Sequence, residues 1–499
     1  MSAIKRIASL SAAAILVLSL AACGESTEDD VQSTNTADVT TAPSDTSEEH
    51  EIVISDDEIT LDGQTLSEED TGDVTISHDI VYYEEGQGAE YGEGTEADEH
   101  SAEDAQAHTV LTIRAAGTYR LSGTLSQGQI AVDLGDDAKD DPSAVVTLIF
   151  DNVDVTCTVA PALIFYNVYE CSSDDAESAS STVDTTQAGA NVIIADGTEN
   201  TFTGSYVARI YEEGTTDKLH KYDGAFYSKM SMNIGGEDEG TGVLNIIGDN
   251  EGLDTEMHLT INGGVINIES QNDGINTNED NVSVTTINGG TLTINAGLGT
   301  EGDGIDSNGW LVINGGNIYA SANAQSADSG LDATNDILIN GGTVVATGNM
   351  SGGVSSDSAQ AYKEFAFSEP IASGSEIVIT DSDGTEVLAY TVVKDASQIL
   401  ISNPDLVDDA EYNVTVDGEE REYTSGNMQS AIDGEGVAMR SGAMDVPDGF
   451  ESWLSSAGDI PDEIRTWLEG FLSQSGPGQE RMPDNMTPPS GEVPPDAAQ

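Results

Sequence analysis

The chain has 499 residues, with 91 Asp and Glu against 15 Lys and Arg, for a net charge of −76. That balance speaks against nucleic acid as a partner, because binding it needs a basic footprint to neutralise phosphate. It also excludes direct electrostatic attraction to anionic membranes, and it suits divalent cations, a salty habitat or plain solubility.

The first 22 residues predict a secretion signal. Lys5 and Arg6 give a charged start, and the apolar stretch from Ile7 to Leu20 is too short to span a membrane. Leu20-Ala21-Ala22-Cys23 then resembles a bacterial lipobox, with ordinary cleavage after a small-residue site as the other reading. Lipidation at Cys23 would attach more than one acyl chain, enough for stable anchoring at the outer face of a cell membrane. Residues 23–50 are rich in Ser, Thr, Asp and Glu and predict a disordered tether.

Strand-like alternation begins near Glu51 and is interrupted by an acidic, Gly-rich insertion from Glu84 to Gln106. Short β-type runs then recur at Val110–Ile113, Ile130–Val132, Val145–Phe150 and Asn191–Ala195, punctuated by Gly, Asp and Asn. A polar stretch from Ser172 to Gln187 predicts a loop. Cys157 and Cys171 are a candidate disulfide pair outside the cytoplasm, although nothing in the sequence shows that their sulfurs meet.

Clean repeats run from Asp249 to Gly353. Ile-Asn-Gly-Gly occurs at Ile261, Ile287, Ile313 and Ile339, each copy 26 residues from the last. Such a period signals stacked units that bury their apolar faces only against one another. Ile266, Leu292, Ile318 and Val344 form a second apolar column, and Ile268, Ile294, Ala320 and Ala346 a third. The residues between them are mostly Thr and Asn, so the period is two. The pattern predicts an all-β chain with a parallel β-helix solenoid over 51–362, one coil per repeat, its strands about 4.8 Å apart. Gly-Gly supplies a positive-φ turn, and the Asn column is expected to form an internal amide ladder.

From 363 to 424 the pattern changes to a small β-module or a cap over the open end. Runs at Glu376–Ile379, Glu386–Val393, Gln398–Ile401 and Tyr412–Val416 are joined by turns at Asp383-Gly384 and Asp417-Gly418. Residues 425–499 are Pro-, Gly- and Ser-rich and are expected to be mostly disordered, with one short amphipathic helix from Pro461 to Leu472.

A second repeated element precedes each Ile-Asn-Gly-Gly. Its copies are Glu251-Gly252-Leu253-Asp254, Asp273-Gly274-Ile275-Asn276, Asp303-Gly304-Ile305-Asp306 and Ser329-Gly330-Leu331-Asp332. Residues two apart in a strand share a face. With the Leu and Ile pointing inward, Asp254, Asn276, Asp306 and Asp332 point outward, beside Glu256, Asn278, Asn308 and Thr334. Glu251, Asp273 and Asp303 border the other side. Two like charges about 4 Å apart repel by about 4 kcal/mol at an effective dielectric of 20, so stacked carboxylates need spacers, protonation or a cation. Calcium takes six to eight oxygens at roughly 2.3–2.6 Å, so opposite ligands stand about 4.8 Å apart, close to the rung spacing. Glu251, Asp254, Glu256, Asp273, Asn276, Asp303, Asp306 and Asp332 are therefore the candidate ligands. Asp-Gly and Asn-Gly are also common turn formers, which is the structural alternative.

The lipobox, the tract from Ala115 to Leu125 and the alternation of Asp-Gly-Ile-Asp/Asn with Leu-Thr-Ile-Asn-Gly-Gly together resemble the bacterial carbohydrate-binding β-helix family, over about Val110 to Gly353. The resemblance implies a right-handed helix, bound calcium, and binding to cell-wall polysaccharide of the polygalacturonate or cellulose type. One rung departs from the pattern: Asp223-Gly224-Ala225-Phe226-Tyr227 has aromatics where an acid is expected.

Three functions follow. A surface-displayed, monomeric binding protein would hold a polyuronate through bridging calcium, or stack a neutral glucan on Tyr319 or Trp310. A polysaccharide lyase would need a Lys or Arg base. None occurs between Ser231 and Tyr362. Arg209, Lys218, Lys221 and Lys229 lie near the edge of the repeats, and of these Lys229 is the preferred candidate because it adjoins the acidic columns. A structural or adhesive solenoid would use calcium only for stability.

Overall fold

A computed structural model describes residues 49–407 and 410–425, with two short strands at Met439–Arg440 and Ala443–Met444. The signal segment, Cys23, the tether and the Pro461–Leu472 helix lie outside the described residues. The described chain is all-β with almost no helix, and a 20-stranded mixed sheet dominates it. Its one α-helix, Ala102–Gln106, forms inside the acidic insertion, where the Ser101 side chain accepts from the Asp104 N–H. The Ser172–Gln187 stretch contains no strand or helix.

The clean repeats contribute strands to three ladders, the last repeat to only two of them. Met232–Gly236 and the four strands that lead into Ile-Asn-Gly-Gly, Leu259–Ile261, Val284–Ile287, Trp310–Ile313 and Ile337–Ile339, pair in parallel, each with the next. So do Val243–Gly248, Val265–Ser270, Thr291–Asn295, Asn317–Ser321 and Thr343–Gly348. The third ladder belongs to an eight-stranded sheet and carries the acidic element. It runs through Leu163–Asn167, Gly224–Ser228, Glu251–Thr255, Ile275–Thr277 and Ile305–Ser307.

The 26-residue period puts chemically equal residues side by side. Ile261, Ile287, Ile313 and Ile339 are fully buried, as are Ile266, Leu292, Ile318 and Val344. Between these two columns the chain turns through Gly-Gly, whose second glycine has φ between 89° and 92° in all four copies. A Cβ at Gly290 would also lie 2.7 Å from the Gly264 carbonyl oxygen, so the turn excludes a side chain on two grounds.

The asparagine column forms an amide ladder, but on the surface, not in the interior. Asn288 donates to Asn262 at 2.9 Å, Asn314 to Asn288 at 2.9 Å and Asn340 to Asn314 at 3.0 Å, and all four side chains are exposed. Alternation explains the correction: the position after a buried Ile faces solvent. Exposed amide bonds compete with water and contribute little, so Asn288→Ala is expected to cost no more than about 1.5 kcal/mol in chemical denaturation. A larger loss would mean that the ladder specifies the turn.

The C-terminal part is built mainly from five strands, Tyr362–Ile371, Glu376–Thr380, Glu386–Thr391, Ala396–Ser402 and Asn413–Val416, with short strands at Glu419–Glu420 and Thr424–Ser425. They enclose a second core around Phe365, Phe367, Ile377, Ile379, Ile401 and Val414. Ala396–Ser402 pairs antiparallel with Thr343–Gly348 and so covers the open edge of the last repeat. Lys394 donates to the carbonyls of Ala296 and Ser321. Cys157 is buried and Cys171 half-buried, and both are free thiols.

Candidate functional site

The acidic ladder sets Asp254, Asn276 and Asp306 in direct register. The turn before it is stacked by backbone bonds from Gly252 N–H to Asp273, Gly274 N–H to Asp303 and Gly304 N–H to Ser329, each 3.0 Å. The expectation that the strand column faces outward fails at Asp254, which is fully buried, and at Asn276, which is 7 % exposed. The cause is distant in sequence. A hairpin of Val207–Tyr211 and Lys218–Tyr222 approaches this face, and Tyr222 packs against Tyr227 with ring centroids 5.0 Å apart.

At the centre, Asp223, Glu251 and Asp254 bring one carboxylate oxygen each to within 4.8 Å of one another. Asp223 comes from the rung whose aromatics argued against a cation there. Tyr227 does stand opposite Asp254 in register, but the turn position before it still supplies the acid. The signal was present in the sequence: Asp223-Gly224 has the same form as Asp273-Gly274.

Several oxygens of this cluster have partners. Asn276 donates to Glu251 Oε1 at 3.1 Å, Asn278 donates to Asp254 Oδ1 at 2.7 Å, and Lys221 Nζ lies 2.5 Å from Asp223 Oδ2. Three do not: Glu251 Oε2, Asp254 Oδ2 and Asn276 Oδ1 are buried without a hydrogen-bond partner. All three are acceptors, so a hydrogen-bond donor or a cation is what they lack. Burial, followed by the charges of neighbouring carboxylates, pushes Glu251 and Asp254 well above the usual range. Burial also raises Asp223, against the pull of Lys221.

The remaining predicted ligands divide. Glu256 is already engaged, by Lys218 Nζ at 3.1 Å and by the Tyr227 hydroxyl at 2.5 Å. Asp273, Asp303, Asp306 and Asp332 are half-buried in the following rungs. Two of them stitch turns together, because Asp273 Oδ1 accepts from the Asp303 N–H and Asp303 Oδ1 from the Ser329 N–H, both at 2.6 Å. Burial and mutual repulsion push Asp303 up to about 9, and push Asp306 to about 7. Among the described residues, only the triad gathers three ligand atoms within 4.8 Å.

Lys229 acts on His220 through its charge: burial and then that ammonium hold the imidazole pKa below its ordinary value. The lysines that reach the acidic face are Lys218 and Lys221. Tyr319 is not a free stacking platform, since Tyr390 of the C-terminal part stacks on it with centroids 6.0 Å apart and planes 4° from parallel. Trp310 is half-buried at the head of its strand. An open groove of about 1350 Å³ runs elsewhere, between the 80–91 segment and the hairpin, and is lined by Tyr82, Tyr91, Tyr211, Glu84, Glu213 and Leu219 among others. Sequence reading missed it because its walls are 120 residues apart and carry no repeat.

These features define an all-β protein with a buried acidic triad that can hold a metal ion. The model of the carbohydrate-binding domain-containing protein family matches residues 107–407, more than half of the chain, and the chain belongs to that family. No curated protein matches it. Among solved structures it is similar to the polysaccharide lyase-like protein from C. thermocellum, determined as a gadolinium derivative. The identity is 20 % and the TM-score 0.33, over 58 % of this chain and 91 % of that one.

Proposed function

We propose that this chain is a calcium-binding, non-catalytic receptor for cell-wall polysaccharide of the polygalacturonate or cellulose type. It acts as a monomer at the outer face of the cell membrane, anchored through Cys23. Its ladders are read as a right-handed parallel β-helix over 51–362, with 363–424 as a separate small module. The three unpartnered buried oxygens beside Asp223 carry the reading, because they form an oxygen-only donor set with an excess of negative charge.

Asp223, Glu251, Asp254 and Asn276 would hold the ion. A hard cation with six to eight oxygen ligands suits such a set better than zinc, which favours sulfur and nitrogen. When bound, calcium supplies the positive charge through which an acidic protein can hold an acidic polymer. The groove beside the hairpin offers tyrosine faces and carboxylates along which a sugar chain can lie. Its volume exceeds the roughly 300–1,000 Å³ of a site for one small molecule.

Isothermal titration with polygalacturonate and with soluble cellulose fragments is expected to show binding to polygalacturonate in calcium and none in chelator. Asp254→Asn should weaken calcium binding at least tenfold and remove the calcium-dependent glycan signal. No binding to either polymer in calcium would sink the proposal. Release of unsaturated sugar products would refute its non-catalytic part.

A further inference from the structure

We propose that a divalent cation entering the triad displaces the ammonium of Lys221, and that Lys221, with Lys218 beside it, then binds a carboxylate of the acidic glycan. This inference rests on the calcium-dependent reading above and names the residues that would recognise the polymer's charge.

Lys221 and an incoming cation need the same group. The lysine Nζ is 2.5 Å from Asp223 Oδ2, and Asp223 is one corner of the triad. The ammonium already neutralises part of the buried negative charge, while Glu251 Oε2 and Asp254 Oδ2 remain unpartnered. A divalent ion among the three carboxylates would satisfy them together and repel the ammonium from its present position. Removal of the lysine from Asp223 is thus part of metal binding.

The lysine can leave without unstacking the repeats. Lys218–Tyr222 pairs only with Val207–Tyr211, in a two-stranded sheet of its own whose register shifts twice. The hairpin is tied to the acidic insertion at its Val207–Tyr211 strand, by backbone bonds from Glu93 N–H to Arg209 and from Tyr211 N–H to Tyr91. The Glu93 carboxylate also takes the Arg209 guanidinium at 3.2 Å and the Tyr211 hydroxyl, whereas these ties do not involve Lys221. The side chains of Lys221 and Lys218 are 33 % and 44 % exposed, so both ammoniums stand at the edge of solvent.

A freed lysine here has a use that the repeats cannot supply. From Ser231 to Tyr362 the chain contains no Lys or Arg. A polyuronate on the acidic face would meet positive charge from the metal and from the hairpin beside it. The same hairpin walls the groove through Tyr211, Leu219 and His220, so the groove and Lys221 share one element.

Calcium titrated alone into the full chain tests the displacement. Lys221→Met should bind calcium at least tenfold more tightly than the unaltered protein, because no competing cation remains. In saturating calcium the same variant should bind polygalacturonate at least tenfold more weakly. In the unaltered chain, calcium should raise the acetylation rate of Lys221 several-fold by peptide mass spectrometry, with the exposed Lys139 as an unchanging reference. That measurement needs no variant to fold. Equal calcium affinity in both proteins, with Lys221 acetylation indifferent to calcium, overturns the inference even if polygalacturonate binds. Failure of the unaltered protein to bind polygalacturonate in calcium instead overturns the functional reading, and the calcium and acetylation measurements then judge the displacement by themselves.

Discussion

Stripped of metal, the protein is expected to melt at lower temperature at pH 8 than at pH 5, and calcium is expected to cancel that loss. The sign follows from the acidic rungs. In the fold Asp273 is raised to about 6, Asp306 to about 7 and Asp303 to about 9, with burial the leading cause in each. In the unfolded chain each returns to about 3.9. The folded state therefore binds more protons across this window, and stability falls as pH rises. The contribution is fully present below about pH 4 and is lost progressively as pH passes the three folded values.

For Asp306, raised to about 7, the part of the shift that falls between pH 5 and pH 8 corresponds to at most about 3 kcal/mol, at 1.36 kcal/mol per pH unit. At about 2 °C per kcal/mol, that is a drop of the order of 5–10 °C. Asp306→Asn should remove its share of the slope and so separate the acidic rungs from the general repulsion of a chain carrying −76 charges. A calcium ion favours the deprotonated carboxylates and adds its binding free energy to the folded state alone. A melting temperature in chelator that stays level or rises between pH 5 and pH 8 would refute the account.

Ile287→Ala is expected to cost about 2–5 kcal/mol, against about 0.5–1.5 kcal/mol for Ile287→Val. Ile287 is fully buried and sits in register between Ile261 and Ile313, so its truncation opens a cavity against two neighbouring repeats. A single repeat has no core of its own, and the loss falls on the interfaces that hold the stack together. Denaturant melts of the two variants beside Asn288→Ala give the comparison. A cost for Ile287→Ala below about 1 kcal/mol would mean that the column is not the core.

Much of the architecture was legible in order along the chain. The apolar columns at 261, 266 and their copies, the glycine turns, the C-terminal strands and the alignment of Asp254 with Asn276 and Asp306 all follow from period and alternation. Those rules are local, and local rules transmit faithfully through a repeat. They misplaced the Asn262 column only because the inference from a polar ladder to an interior one ignored that same alternation. The site was less legible. Asp223 was set aside because Phe226 and Tyr227 follow it, although its own Asp-Gly step matched the others. Glu256 matched the column but is engaged by Lys218 and Tyr227.

By itself, then, the sequence determined which residues stack, because equal spacing forces equal side chains into rows. It also determined that the rows include acids. Only the tertiary structure decided which acids become a site. The hairpin from Val207 to Tyr222 packs against the acidic ladder at Tyr227 and Asp223, and burial there leaves two carboxylates, Glu251 and Asp254, each with an unpartnered oxygen. Contact between that hairpin and the repeats obeys no period, so no pattern in the chain could announce it.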